Sequence, residues 1–252
     1  MVSRFHLPEN LKAGSLSLDG SEFHHMIRVT RHQVGDTVRL FDGSGREADA
    51  KITSITRRSA TLTVEEVQTL PDPHQPQLIL AVAMPKSSRA SMLIEKSVEL
   101  GVTRLIPLKT TRSVVAPGES KLETLRGNVV AACKQCGRSR LMVIDSTVAW
   151  NDLLLMETKQ NVMAVAHPGG TPLSDSLLRA LQRESEQTPS ECGRKNIAIA
   201  IGPEGGFTMD EVAQASACGA HLVSLGPRIL RVETAALAAA AVFQSVMHAD
   251  QA

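Results

Sequence analysis

Aromatic residues are almost missing: no Tyr, one Trp and five Phe make up 2% of the 252 residues. A sheet that reads nucleic acid by stacking bases on rings has almost nothing to be built from, so any such contact must rest on charge and backbone. The core must be aliphatic, drawn from Leu, Val, Ile, Ala and Met. Cysteine is scarce too. Four residues, Cys133, Cys136, Cys192 and Cys218, imply no disulfide scaffold in a chain this long. Cys133 and Cys136 stand at C-x-x-C spacing, but the second pair of a four-cysteine zinc site is lacking. The motif also closes a predicted helix, which argues against thioredoxin-like chemistry. No metal is expected. Long apolar runs are absent as well: the alanine-rich stretch Ala235–Phe243 is too short to cross a bilayer. Arg4, His6 and Glu9 interrupt the start before a secretory leader develops. The expectation is a soluble, cytoplasmic protein.

What is present is an ordinary globular composition, 42% apolar and 21% charged, which excludes a fully disordered chain. The net charge of +1 hides an asymmetry. Residues 1–85 carry −1, residues 86–140 carry +7 and residues 141–252 carry −5. The basic block is a candidate polyanion surface, against the plainer reading of a solvated helix face.

The first seventy residues predict short strands at Arg4–Leu7, Ser15–Leu18, Thr37–Phe41, Ala48–Ile55 and Ala60–Val67, with one helix over Ser21–Arg31. Asp42-Gly43-Ser44-Gly45 after Val38–Phe41 suggests a hairpin. The three prolines between Pro71 and Pro76 mark a domain boundary. Beyond it, strands (Leu78–Met84, Arg104–Leu108, Asn161–Ala166, Ile197–Ile201, His221–Leu225) alternate with helices (Ser88–Leu100, Lys121–Cys136, Pro172–Glu186, Met209–Ala217, Thr234–Ala249). That alternation predicts an α/β domain whose parallel sheet is covered on both faces.

Three predicted strand ends carry glycine-rich loops. Gly202-Pro203-Glu204-Gly205-Gly206-Phe207 follows a strand, and Thr208 with Glu211 has the spacing of a capping box. Gly226-Pro227-Arg228-Ile229-Leu230-Arg231-Val232-Glu233-Thr234 follows another, and His167-Pro168-Gly169-Gly170 a third. Ligands of open parallel sheets sit beyond the carboxyl ends of the strands. None of the loops is a G-x-G-x-x-G fingerprint or a P-loop, so pyrophosphate is not indicated. The arginines suit an anion or developing negative charge, or an Arg–Glu pair capping the last helix. His167 suits a general base or the lining of a turn.

Taken together, Arg4-Phe5-His6-Leu7-Pro8, His24-His25 with Arg28-Val29 and Arg31, Phe41-Asp42-Gly43, Glu95 to Val102, Gln135-Cys136-Gly137-Arg138, Ile201 to Phe207 and Leu225 to Ala235 resemble the RsmE family of uridine-N3 methyltransferases of small-subunit ribosomal RNA, within the SPOUT superfamily. The resemblance runs from Arg4 to about Gln244. It implies a PUA-like RNA-binding β-barrel over 1–72 and a SPOUT α/β domain with a trefoil knot over 73–252. The second domain would bind S-adenosylmethionine and form a homodimer. The cofactor pocket is expected from Ala166 and His167, from Gly202, Pro203, Glu204, Gly205 and Gly206, and from Leu225, Gly226, Ile229, Leu230, Arg231, Thr234 and Ala235. On this reading a bulky residue at Gly205 or Gly226 abolishes cofactor binding.

Lys86, Arg89, Lys96, Arg112, Gln135, Arg138 and Arg140 would hold the RNA backbone. Lys134 stands where the family usually has Glu, which makes the basic patch more basic. Uracil N3 must lose its proton before it can attack a methyl group. Arg231 is expected to stabilise or orient the uracil, and Glu204 to position it or move the proton. The competing readings are a non-catalytic ribosome-assembly factor and a methyltransferase of the same superfamily with another RNA target.

Overall fold

A computed structural model describes residues 2–8, 11–71, 76–186 and 195–249. It divides into two compact units, Met1–Asp72 with Val130–Leu141, and Pro73–Val129 with Met142–Ala252. The boundary expected at 72/73 falls at 72–75, outside the described residues, as does most of the polar loop Glu184–Lys195.

The first unit holds β1 (Arg4–His6), β2 (Gly14–Asp19), α1 (Gly20–His24), β3 (Thr37–Phe41), β4 (Arg46–Ile55), β5 (Ser59–Val64) and β6 (Gln68–Thr69). A wider helical turn, His25–Val29, continues α1, so the predicted helix is present. The sheet order is β1-β3-β4-β5-β2, with β6 on β4. Only β1–β3 is parallel. The predicted hairpin is β3–β4, and its turn is braced by Asp42 Oδ1, which accepts from the Ser44 N–H at 2.8 Å. Alternation sets the core: Ala48, Ala50 and Ile52 of β4 point inward with Phe5, Val38, Leu40 and Leu62.

Segment 130–141 completes this unit. The Leu141 N–H donates to Gly43 O at 3.0 Å. The Arg140 guanidinium donates to Ser44 O at 2.5 Å and Leu70 O at 2.8 Å. Lys134 corrects the expectation of added exposed positive charge. Its Nζ donates to both Glu22 carboxylate oxygens, at 2.9 and 3.0 Å, and to His25 Nδ1 at 2.8 Å, with the Lys134 side chain only 12% exposed.

The second unit holds β7 (Leu78–Val82), α2 (Ser87–Glu99), β8 (Arg104–Lys109), α3 (Glu119–Cys136, whose last turns belong to the first unit), β9 (Val143–Ile144), β10 (Val148–Ala149), α4 (Trp150–Gln160), β11 (Val162–Pro172), α5 (Leu173–Glu186), β12 (Ile197–Ile201), α6 (Met209–Ala217), β13 (His221–Ser224) and α7 (Val232–Ala249). All its strand pairs are parallel, in the order β10-β8-β7-β12-β11-β13 with β9 on β8. The central strands β7 and β12 are buried along their whole length, as their unbroken apolar runs require. Helix α7 packs its alanines Ala236, Ala239 and Ala240 toward β7, β12 and α2, where small side chains allow close approach. Among the described residues no helix is long and apolar enough to cross a membrane.

Candidate active site

The three glycine-rich loops of the second unit converge on one cavity of about 650 Å³, counting the part open to solvent. Each loop is shaped by a local device. β11 breaks register with β13 between Ala166 and Thr171, so His167–Gly170 bulges from the sheet. The Gly169 N–H donates to His167 Nδ1 at 3.2 Å, which closes this turn and makes Nδ1 an acceptor.

In the second loop the Gly206 N–H donates to Pro203 O at 2.8 Å. Phe207 then folds back, and its ring lies 3.0 Å from where a Cβ on Gly202 would stand, so a side chain at 202 would require that ring to shift. Phe207 also packs on Trp150, ring centroids 4.6 Å apart, and so ties the cavity floor to α4. Thr208 and Glu211 form the predicted capping box. In the third loop Ser224 Oγ accepts from the Gly226 N–H at 3.2 Å. Gly226 has φ +118°, and a Cβ there would meet no protein atom within 4 Å.

A second contact set fixes the middle loop from outside. Arg112 donates through Nη1 to Gly205 O at 2.6 Å. Neighbouring Thr111 donates its N–H to Glu211 Oε1 at 2.8 Å. Burial alone would push the Glu211 carboxyl up. The N–H groups of Thr111 and Thr208 outweigh it and hold the carboxyl below its ordinary value of 4.5.

Most of the expected pocket residues line the cavity: Ala166 and His167, then Gly202, Pro203, Glu204 and Gly206, then Leu225, Gly226, Ile229, Leu230 and Ala235. Gly205, Arg231 and Thr234 do not. Gly205 faces Arg112, whose Cδ is 3.2 Å from the place of its missing Cβ, so a bulky residue there would press on Arg112 and not on the cavity. Arg231 and Thr234 are exposed, although Leu230 and Val232 on either side of Arg231 line the cavity. Pro168, Ile201, Phe207, Ser224, Arg228 and Val232 also line it and were not foreseen. Phe207 had a signal, an isolated aromatic after a double glycine in a nearly ring-free chain.

Several side chains of the basic block are engaged within the protein. Lys96 is exposed but sits 2.8 Å from both Glu95 and Glu99 of its own helix. Arg112 and Arg140 are committed to backbone carbonyls. Gln135, Arg138 and Arg140 belong to the first unit, and Lys86, Arg89, Lys96 and Arg112 to the second. Lys86 and Arg89 line a second cavity, of about 690 Å³, that shares Pro203 and Glu204 with the first. The Arg89 guanidinium stands between two carboxylates, Glu204 at 3.6 Å and Glu233 at 3.7 Å. Among the described residues no group of three His, Cys, Asp or Glu is placed to hold a metal. Cys133, Cys136 and Cys218 form no disulfide, the Cys133 thiol donates to Arg140 O at 3.8 Å, and Cys192 lies outside the described residues.

Comparison with known proteins gives consistent matches. A family model described as an RNA methyltransferase domain matches residues 72–244, and one described as an RNA methyltransferase PUA domain matches residues 18–65. A protein of Synechocystis named ribosomal RNA small subunit methyltransferase E is 32% identical over 95% of this chain and 76% of its own length. One of the same name from Rickettsia conorii is 33% identical over 86% of this chain and 84% of its own. The crystal structure of a ribosomal RNA small subunit methyltransferase E from Neisseria gonorrhoeae, bound to S-adenosylmethionine, superposes with a TM-score of 0.83 at 30% identity, covering 98% of each chain.

Proposed function

Because the chain belongs to the ribosomal RNA small subunit methyltransferase E family, we propose that it methylates N3 of a uridine in small-subunit (16S) ribosomal RNA, using S-adenosylmethionine. The assembled small subunit is the substrate in this reading. The observation that carries it is the single cavity made by three strand-end loops. The donor set fits the cofactor. It is a mostly apolar cradle of loop backbone whose charged lining side chains are Arg228 and Glu204, suited to a largely apolar ligand with a charged end. The space beside Gly226 is open to receive one.

When bound, S-adenosylmethionine supplies a methyl group already activated on a sulfonium: the N3–C bond forms as the S–C bond breaks, and its electron pair returns to sulfur. The protein's part is placement and charge. The loops at 202–207 and 224–231 hold the cofactor rigidly, which supplies much of the rate through alignment. Glu204, facing both cavities, positions the base and takes the N3 proton. Exposed Arg231, set between two lining residues, orients the RNA at the mouth. Lys86 and the PUA-like unit, with Arg138 and Gln135, contact the RNA backbone. The trefoil knot belongs to the segments after β12 that build the cavity. A cytoplasmic homodimer completes the reading, supported by apolar residues left exposed on the second unit's helices, Met92, Leu178 and Met209.

The test incubates the protein with methyl-labelled S-adenosylmethionine and small ribosomal subunits from a strain lacking this gene, then analyses the nucleosides. Label in 3-methyluridine is expected. Label in another nucleoside moves the target. No label and no cofactor binding overturns the enzyme reading in favour of an assembly factor.

A further inference from the structure

The contact between Arg89, Glu204 and Glu233 is not explained by cofactor binding. Glu233 sits in the first turn of α7 with its side chain only 7% exposed. Its Oε2 is buried without a hydrogen-bond partner among the described residues. A buried carboxylate is costly unless paired, and Arg89 is the cation beside it. Both ionic distances from Arg89, 3.6 and 3.7 Å, are longer than hydrogen bonds. Glu233 therefore anchors the guanidinium and keeps an acceptor in reserve for a closer, two-point grip.

Arg89 faces the second cavity, whose walls are apolar at Ala83, Met84, Pro85 and Pro203. Its charge is already matched by two carboxylates. With Lys86 counted, the site is close to neutral, which makes it a poor trap for a phosphodiester. It suits a flat, neutral ligand that acquires negative charge only during reaction. Uracil losing its N3 proton is such a ligand, because the charge spreads onto the two ring carbonyl oxygens.

We propose that this cavity receives the target uracil, that Arg89 stabilises the uracil anion through its ring oxygens, and that Glu233 is the positioning residue that holds Arg89 for this task. The inference rests on the methyltransferase reading given above. In the step, the N3–H bond breaks, the proton passes to the solvent-facing Glu204 carboxylate, and the electron pair stays on the ring until N3 forms its bond to the methyl carbon.

The test uses the full chain with Arg89→Gln, Arg89→Lys and Glu233→Gln, each checked for an unchanged melting curve. Three quantities are read: cofactor affinity by calorimetry, binding of unmethylated small subunits to cofactor-free protein, and single-turnover methyl transfer from pH 6 to pH 9. Cofactor affinity and subunit binding are expected to stay within about threefold of wild type. Transfer at pH 7 is expected to fall about 100-fold in Arg89→Gln and about tenfold in Glu233→Gln. In Arg89→Gln it should climb about tenfold per pH unit past the point where wild type levels off. Arg89→Lys should recover part of the loss. If Arg89→Gln weakens subunit binding in a salt-dependent way and leaves the pH profile unmoved, Arg89 holds phosphate and the proposal fails. If transfer is unaffected in all three variants, it fails outright. If wild type itself transfers no methyl group, the parent reading has failed instead.

Discussion

Substituting Gly226 by alanine tests whether the third loop must hold its shape to bind the cofactor. The glycine stands at φ +118°, a conformation that costs a residue with a Cβ about 1–3 kcal/mol. No protein atom lies within 4 Å of the new Cβ, so no clash with the protein adds to the backbone strain, and any further loss of affinity comes from the Cβ meeting the cofactor. If cofactor binding requires this conformation, the free protein can relax it but the complex cannot. The strain then appears as a loss of affinity on the order of five- to 150-fold. Gly219 is the matched control. It has φ +83° with nothing within 4 Å, and it ends α6 in a Schellman motif, its N–H on Ser216 O and that of Ala220 on Ala215 O, both at 3.0 Å. Gly219→Ala should carry similar strain with no ligand beside it. Calorimetric titration with S-adenosylmethionine and thermal melts on both variants separate the two effects. Gly226→Ala should lose affinity, and Gly219→Ala should lose stability alone. Equal affinities for both, within twofold of wild type, would refute the role given to this loop.

Three further outcomes follow from the packing. Trp150 is the chain's one tryptophan and packs at a tilt against Phe207, which lines the cavity, so S-adenosylmethionine should change its fluorescence saturably; Phe207→Leu should blunt that signal. Lys134→Met strands the Glu22 carboxylate and should cost on the order of 2–4 kcal/mol in urea melts of the full chain. Burial, aided by Lys134, pushes His25 below its ordinary 6.5, and burial does the same to His6. The unfolded chain then takes up protons that the folded one resists, so stability should fall as pH drops below 6.5, less steeply in Lys134→Met. Glu211→Ala removes the capping box and the support of Thr111, about 1–3 kcal/mol by melts at pH 7. Since the folded Glu211 carboxyl is depressed, its contribution is present above 4.5, and the gap to wild type should close as pH falls through its folded value.

The parallel sheet was legible because buried strands such as Leu78–Val82 and Ile197–Ile201 announce themselves as unbroken apolar runs flanked by helical periodicity. The cavity was legible for the same reason, since glycines directly after such strands have one place to be. α4 was passed over, although Trp150, Leu153 and Leu154 show helical spacing; the polar residues Asn151, Asp152 and Glu157 masked its buried face. Pairings across long separations could not be read. Lys134 meets Glu22 across 112 residues, and Arg89 meets Glu233 across the whole second unit. Periodicity gives the face of a helix but not its distant neighbour. Arg231 and Thr234 stand outside the cavity lining because membership of a loop says nothing about which side of it a given residue takes.

The joining of segment 130–141 to the first unit sets an order of completion during synthesis. When Asp72 leaves the ribosome, β1 to β6 exist as sequence, but Glu22 has no Lys134, Ser44 has no Arg140 and Gly43 has no Leu141. The remaining residues up to 141 take roughly 3–14 s to emerge at ordinary elongation rates. Through that interval the nascent sheet waits for its last piece. The cavity is later still, because Ala235 is among its walls. A chain cut short after residue 141 would therefore carry every residue of the first unit and no place for a cofactor.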